Sequence, residues 1–235
     1  MSKIFKTGIF YKPYLYFNLY YKNKALKKRK TYSQHREDLF IDNYFKDTKN
    51  GFYLDIGCYH PIKYSNTALL FNRGWKGINI DMNQTSIDMF NVLRKGDKNI
   101  CAAISNESKE ATQYLDHDFS PVNSLEKKFS DTVSKEISFN SHLERKIHTY
   151  KFSQITEAQN IKDTQIDFIN IDAEAHDFEV LEGIDLNIYK AKLICIEMLD
   201  FENKINEKKF QHYLTKYNYN LIKIIGPNGI FELKN

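Results

Sequence analysis

Short, uninterrupted runs of apolar residues recur along the chain, separated by stretches whose apolar residues are spaced three or four positions apart. Uninterrupted runs of this length are typical of buried strands, and the wider spacing is typical of helices that bury one face. The predicted strands cover residues 52–57, 77–81, 100–105, 166–172 and 193–197. The predicted helices include residues 38–45, 68–71, 87–93 and 178–184.

The regular alternation of strand and helix predicts a parallel sheet whose strands are joined by crossover helices. The chain ends in two further strand-like runs, 221–225 and 230–233, which are separated only by Gly226-Pro227-Asn228-Gly229. A connection this short joins antiparallel neighbours. We therefore predict an α/β fold, a Rossmann-like, mostly parallel sheet with flanking helices and a C-terminal antiparallel hairpin.

Residues 106–165 interrupt the alternation with a strand at 111–115, a turn at Pro121, a polar helix and a strand at 147–152. We interpret this segment as an insertion that lines a substrate pocket. The chain of 235 residues has room for one α/β domain with modest additions. We assign that domain to residues 31–235.

Residues 1–30 form a separate basic and aromatic arm. Residues 1–36 contain ten Lys or Arg and no acid, whereas the remainder contains 24 basic and 30 acidic residues. Aromatic residues interleaved with lysines ahead of the basic run 27–30 are typical of contact with an anionic membrane, and packing against the chain's own domain is the alternative. The acidic remainder argues against a nucleic-acid partner. Lysines and Pro13 interrupt the apolar stretch 4–21, so no transmembrane helix is predicted.

The three cysteines, Cys58, Cys101 and Cys195, lie in apolar segments and form no CxxC pair. We expect reduced thiols packed in strands as small hydrophobic side chains. This usage fits a reducing compartment. We therefore predict a cytoplasmic protein whose arm is available to the cytoplasmic face of a membrane.

The candidate ligand-binding residues stand at the predicted strand ends, because open α/β sheets bind ligands where the strand order reverses. The first strand ends in Asp55 and Gly57, and a glycine lets the chain turn sharply and a ligand approach. The full GxGxxG fingerprint is missing, which weakens a dinucleotide interpretation. Asp81, after the second strand, could bind both hydroxyls of a ribose or cap the next helix. Ala103 suits an adenine ring or plain sheet core.

The fourth strand leads into Asp172-Ala173-Glu174-Ala175-His176-Asp177. Asp172, Glu174 and His176 are the candidate catalytic residues, because a carboxylate or imidazole there could accept the proton of an attacking hydroxyl. Acids in a first helical turn also serve as caps or dipole partners. A metal held by these three and His60 is conceivable, but no ligand spacing is diagnostic, and we predict no metal.

Four segments together resemble the FkbM family of methyltransferases. They are residues 32–38, 52–61, 73–81 and 167–183, and the resemblance extends over roughly residues 31–200. The chain departs from the family in two places. Ala175 replaces a usual glycine, and His35-Arg36 stand where an aromatic-glycine pair is common.

The resemblance implies a class I, Rossmann-like methyltransferase with S-adenosylmethionine as cofactor. It places Asp55 and Gly57 near the amino-acid portion of the cofactor, and Asp81 on its ribose. Asp172 and Glu174 are expected close to the transferred methyl. The predicted cofactor-binding residues are Gln34, Glu37, Asp55, Gly57, Tyr59, Asp81, Met82, Ala103 and Asp172.

The implied reaction is O-methylation of a small-molecule or glycan substrate, at a hydroxyl of a sugar, glycan or natural product. Two alternatives stay open. One is a nicotinamide-dependent oxidoreductase, because Asp81 would suit that ribose equally well. The other is a non-catalytic scaffold with the same fold. A nucleic-acid methyltransferase is disfavoured because the chain has no Asn/Asp-Pro-Pro-aromatic motif.

Overall fold

The computed structural model describes residues 8–23, 29–137, 143–161, 165–202 and 204–234. The strands are β1 (Phe52–Ile56), β2 (Lys76–Asp81), β3 (Lys98–Cys101), β4 (Ala103–Ile104), β5 (Glu110–Leu115), β6 (Leu143–Tyr150), β7 (Phe168–Ile171), β8 (Leu193–Glu197), β9 (Tyr219–Ile225) and β10 (Asn228–Leu233). The α-helices are α1 (Tyr11–Tyr16), α2 (Glu37–Tyr44), α3 (Ala68–Asn72), α4 (Gln84–Leu93), α5 (Lys127–Ile137), α6 (Phe152–Ala158), α7 (Asp177–Glu182) and α8 (Glu207–Thr215).

Seven strands form the main sheet in the order β3-β2-β1-β7-β8-β10-β9. Strand β1 pairs in parallel with both β2 and β7, and β7 pairs in parallel with β8. Strand β10 runs antiparallel to both its neighbours, β8 and β9. The predicted α/β fold and its C-terminal hairpin are therefore confirmed. The strand order reverses between β1 and β7, so the carboxyl ends of these two strands flank the expected ligand crevice.

The sheet is buried on both faces because its side chains alternate between two apolar layers. On β1, Leu54 and Ile56 belong to one buried cluster, together with Ile169 of β7. Tyr53 points to the opposite layer and packs in a cluster with Trp75. A rigid, two-sided core thus supports the strand ends that form the site.

The third predicted strand is wrong in its second half. Strand β3 ends at Cys101, and Ala103–Ile104 pair instead with β6 in a second sheet of order β4-β6-β5. The Ser105 amide then donates to the Tyr150 carbonyl at 2.9 Å. The apolar run continues through this break, so hydrophobicity alone does not show where the hydrogen-bonding partner changes.

Three helices, α1, α6 and α8, are absent from the prediction. The predicted strand 147–152 is wrong at its end, because α6 begins at Phe152. There the Lys151 amide donates to the Gln154 side chain at 2.9 Å and caps the helix. Helix α8 buries only Phe210 and Leu214, too few apolar positions to stand out in a polar segment.

The cysteines differ in part from the expectation. Cys195 is buried within β8, as expected, and all three thiols are free. Cys58 is buried but lies in the loop after β1. Cys101 is exposed at the end of β3, so the prediction that all three are packed in strands is wrong.

Residues 8–22 form a continuous helical segment of a 3₁₀ turn, α1 and a π-helical turn, and this N-terminal segment packs on α4. Leu15 and Leu19 are buried against Met89. The alternative of packing against the chain's own domain therefore holds here. Its other face leaves large apolar side chains exposed, namely Ile9, Phe10, Tyr16, Phe17, Tyr20 and Tyr21. Of the predicted basic cluster, Lys27 and Lys28 lie outside the described residues.

No helix in the described ranges combines the length and the hydrophobicity needed to cross a membrane.

Candidate active site

A cavity opens at the carboxyl ends of β1, β2 and β7, beside the point where the strand order reverses. The structure brings most of the predicted site residues into its wall, namely Gln34, Gly57, Tyr59, Asp81, Met82, Ala103, Asp172, Glu174 and His176. Two predicted cofactor-binding residues, Glu37 and Asp55, do not line it. The insertion also contributes to the wall, through residues that include Gln113, Pro121 and Asn123.

Gly57 lies where the backbones following the two central strands come closest together. Its φ is +76°, and a Cβ there would overlap the backbone oxygen of Asp172, so glycine alone fits. Asp55 is buried behind this turn. Its carboxylate accepts hydrogen bonds from Thr67 Oγ1 at 2.6 Å and Asn170 Nδ2 at 2.9 Å. Asp55 therefore holds the loop after β1 in place, while Gly57 faces the cavity.

The Asp81 carboxylate ends β2 and is anchored by two backbone amides. Its Oδ2 accepts from the Tyr59 amide at 2.8 Å, and its Oδ1 accepts from the Asn83 amide at 2.7 Å. Each oxygen retains a second lone pair for a ligand hydroxyl. The cap of α4 is Asn83, whose side chain accepts from the Thr85 amide. Burial raises the pKa of Asp81 to about 6.

A stack of aromatic rings borders the cavity next to Asp81. The Tyr59 ring stacks on Phe119 of the insertion, with ring centroids 5.0 Å apart, and on Tyr64 at 6.4 Å. Such a surface is flat and apolar and suits a planar ligand group.

Gln113 and Ser86 are wall residues that the sequence analysis missed. Both are buried, and neither the amide of Gln113 nor the hydroxyl of Ser86 has a hydrogen-bond partner within the described part of the chain. A buried polar group without a partner costs about 1–3 kcal/mol, so these atoms are suited to bind polar atoms of a ligand. No sequence motif marks them, because Gln113 lies in the irregular insertion and Ser86 within an amphipathic helix.

Asp172 and Glu174 present carboxylates without hydrogen-bond partners among the described residues. Burial raises the pKa of Asp172 to about 7, and the carboxylates of Asp55, Glu37 and Asp81 add to the shift. Burial, followed by the charge of Asp172, also raises the pKa of Glu174. Carboxyl groups with raised pKa values in a cleft are typical of sites of proton transfer.

Glu174 belongs to a strained turn between β7 and α7. Glu174 and Ala175 both adopt left-handed backbone conformations, with φ of 54° and 69°. This conformation costs about 1–2 kcal/mol for a residue with a Cβ. The Ser124 hydroxyl of the insertion holds the turn by donating to the Glu174 carbonyl at 2.6 Å.

His176 is held by hydrogen bonds at both ring nitrogens. Its Nδ1 lies 2.8 Å from a carboxylate oxygen of Glu126, which only accepts, so Nδ1 carries a proton. Its Nε2 lies 3.0 Å from the Ser105 hydroxyl, which donates to it when the ring is neutral. Of the three predicted catalytic residues, only the two carboxylates are therefore available to a substrate proton without loss of a hydrogen bond.

His60, the fourth residue considered as a metal ligand, lies outside the cavity wall. It is buried, and its Nδ1 accepts from the amides of Ile62 and Lys63, each at 3.0 Å. Burial lowers its pKa to about 3. His60 therefore acts as a neutral group that shapes the loop after β1.

A family model described as the methyltransferase FkbM domain matches residues 55–221, which is more than half of the chain. The chain belongs to the FkbM family. It is therefore a methyltransferase, and the resemblance inferred from the sequence is confirmed. A search among curated proteins found no match.

Both departures from the usual FkbM glycines occur at left-handed backbone positions. Arg36 has a φ of 71°, and Ala175 has a φ of 69°. Glycine adopts this conformation without steric cost, whereas Arg and Ala do not. The chain therefore retains, at both positions, the backbone conformation that favours glycine. The Cβ atoms of Arg36 and Ala175 make that conformation strained.

The segment ahead of the FkbM match reaches the cavity through Gln34. Glu37 does not line the cavity, and its carboxylate accepts from the His35 amide at 2.9 Å and from Asn228 Nδ2 at 2.7 Å. Asp38 likewise binds back to the segment through the Ser33 hydroxyl. Glu37 and Asp38 thus anchor the segment over the sheet, and Gln34 is its residue in the cavity wall.

Proposed function

We propose that this FkbM methyltransferase uses S-adenosylmethionine and methylates a hydroxyl of a sugar, glycan or natural product. The proposal is supported by one cavity that contains both groups suited to accept a proton and groups suited to bind the cofactor. The carboxylates of Asp172 and Glu174, which have no hydrogen-bond partner in the described ranges, line the same wall as Asp81, which could accept from ribose hydroxyls, and Gly57, which has no side chain.

The residues of the wall fit the cofactor. Gly57 would admit its amino-acid portion close to the backbone, and Asp81 would accept hydrogen bonds from the ribose hydroxyls. The buried, unpartnered amide of Gln113 offers one donor and one acceptor edge, which matches the edge of an adenine. Ala103 and Met82 would provide apolar contacts beside the ring.

The chemistry asks little of the protein besides alignment and proton removal. S-adenosylmethionine supplies a methyl group that is already activated by its sulfonium. Holding the acceptor oxygen about 3–3.5 Å from that methyl accounts for much of the acceleration. Asp172, with a pKa of about 7, would accept the hydroxyl proton as a general base. Glu174 would orient the hydroxyl, and His176 would support the turn.

The test compares two cofactors. Melting curves of the full chain with S-adenosylmethionine, S-adenosylhomocysteine and NAD should show stabilisation by the first two only. A shift with NAD alone would support the oxidoreductase, and no shift with any of them would support the scaffold. Incubation with labelled S-adenosylmethionine and a panel of sugars and glycans should then yield a methyl ether that survives mild base, unlike a methyl ester.

We also propose that the N-terminal segment contacts an anionic membrane. Its inner face packs against α4, whereas the exposed aromatic and apolar side chains are not part of the core. The ten basic residues of 1–36, with no acid among them, complement anionic lipid. The enzyme body would remain in the cytoplasm, with a small-molecule or glycan substrate and no nucleic-acid partner.

A further inference from the structure

Three carboxylates lie close together beside the cavity. Asp172 follows β7, Asp177 begins α7 and Glu197 ends β8. One carboxylate oxygen from each lies within 4.8 Å of the other two. Asp172 also lines the cavity, whereas Asp177 and Glu197 lie outside its wall.

One carboxylate oxygen of Asp177, in this cluster, is buried without a hydrogen-bond partner among the described residues. Its side chain is only 1% exposed. Its Oδ1 accepts from the Ala173 amide at 2.6 Å, but its Oδ2 has no hydrogen-bond partner among the described residues. A buried carboxylate oxygen is ordinarily paired or bound to a metal.

Within the described part of the chain, no basic side chain neutralises the cluster. No Lys, Arg or His in the described ranges forms an ion pair with Asp172, Asp177 or Glu197. The charges with the largest effect on Glu197 are all carboxylates, and together with burial they raise its pKa. Without a bound cation, the cluster can be buried only by retaining protons.

We propose that Asp172, Asp177 and Glu197 bind a hard divalent cation such as Mg²⁺, Mn²⁺ or Ca²⁺. Carboxylate oxygens are the ligands these ions prefer. Two oxygens bound to one ion are at most about 4.2 Å apart around Mg²⁺ and about 4.8 Å apart around Ca²⁺. The three carboxylate oxygens lie within 4.8 Å of one another, which is close enough for one ion to draw them together. Three carboxylates leave the remaining coordination positions to water or a substrate oxygen.

A second group, Glu126, His176 and Glu179, also has ligand atoms within 4.8 Å of one another. The negative charge of Glu126 is already stabilised within this group, because the hydrogen bond from His176 lowers the pKa of Glu126. Both nitrogens of His176 are also in use. The all-carboxylate group is therefore the one that needs a cation.

The consequence for catalysis rests on the proposed function, whereas cation binding does not. One oxygen of Asp172 would hold the cation, which would coordinate the acceptor hydroxyl and lower its pKa, and the other oxygen of Asp172 would accept the hydroxyl proton. An acceptor with two adjacent hydroxyls would then bind better than one with a single hydroxyl, because both oxygens could coordinate.

The test is calorimetric titration of the chelator-treated full chain with Mn²⁺, Mg²⁺ and Ca²⁺, without S-adenosylmethionine. We expect saturable binding of one ion at micromolar to millimolar concentration. Glu197→Gln and Asp177→Asn should weaken binding by at least ~10-fold, the lower bound for perturbing a metal site. Glu179→Gln, a carboxylate of the same helix from the second group, is the matched control and should bind normally.

Melting curves show whether a variant that fails to bind the ion is still folded. Without metal, Glu197→Gln should melt at or above the temperature of the wild type, because it removes one of the mutually repelling carboxylates. Added Mn²⁺ should then raise the melting temperature of the wild type by more than that of the variant. Absence of saturable binding to the folded wild type would overturn the proposal, as would loss of binding in Glu179→Gln with normal binding in Glu197→Gln. Neither outcome depends on whether methyl transfer occurs.

Discussion

At the residue scale, Asp172 combines two properties that one carboxylate seldom has. Its carboxylate is buried enough to hold a proton near neutral pH, yet it faces the cavity and has no partner in the described structure. We expect Asp172→Asn to lower kcat by about 10²-fold or more, because the amide cannot accept the hydroxyl proton. Single-turnover kinetics would measure this, with calorimetry of S-adenosylmethionine binding beside it. Near-normal turnover would move the base to Glu174.

Substitution of Asp81 should affect the binding of S-adenosylmethionine and not turnover. Asp81→Ala removes the acceptors for the ribose hydroxyls, and hydrogen bonds to a charged group contribute about 1.5–3 kcal/mol. Calorimetry should therefore show S-adenosylmethionine binding weakened by that amount. The variant's unliganded melting curve serves as the folding control. An unchanged affinity in a folded variant would falsify the ribose assignment.

Ala175 offers a test of backbone strain alone. Ala175→Gly should stabilise the protein by about 1 kcal/mol, because glycine accepts the left-handed conformation without steric cost. Ala173→Gly is the matched control, since Ala173 is not left-handed, and should destabilise by about 0.5–1 kcal/mol. Urea unfolding of both variants measures the difference. Equal effects of the two substitutions would show that strain at the turn is relieved elsewhere.

At the scale of elements, the N-terminal segment presents two faces with different tasks. Phe17→Ser with Tyr21→Ser changes only exposed side chains, so the packing of Leu15 and Leu19 should survive. We expect the double variant to sediment less with anionic vesicles, and all binding to weaken as salt rises. Ile222→Ser, an exposed apolar residue on β9, is the control and should bind as the wild type does. A wild type that ignores such vesicles at low salt would show that the segment is structural only.

Elements were predictable where burial was two-sided or the connection was short. Strand β8 was predicted with its observed bounds because residues 193–196 are all apolar and the acidic Glu197 ends the run. The break between β3 and β4 was not predictable, because it depends on the distant Tyr150. Helix α8 was missed since a helix that buries only Phe210 and Leu214 has a weak apolar pattern.

At the scale of the whole molecule, the acidic groups at the sheet's carboxyl edge make stability depend on pH. The pKa of Asp172 is raised from 3.8 to about 7 in the folded state, so the folded protein binds more protons than the unfolded chain between these values. Stability from this group therefore falls as pH rises from about 4 to about 7. In metal-free protein, the wild type should lose stability relative to Asp172→Asn over this range, measured by urea unfolding. A parallel pH dependence in the two proteins would contradict the assignment.

The sequence by itself determined the α/β class, the β-α-β order and the family, because these depend on local hydrophobic periodicity and on motifs contiguous in the chain. It also placed Gly57, Asp81 and Asp172 at strand ends, and parallel strands bring such ends together.

Only the tertiary structure decided which polar groups are left without partners. Glu37 and Asp55 are acids like Asp81, but they bind Asn228, Thr67 and Asn170 from distant segments and do not line the cavity. Gln113 reaches the site because the insertion folds back over the sheet, and Glu197 meets Asp177 because β8 lies beside β7. Hydrogen bonding and electrostatics act over a few ångströms in space, whatever the separation along the chain, so these pairings follow from the folded structure alone.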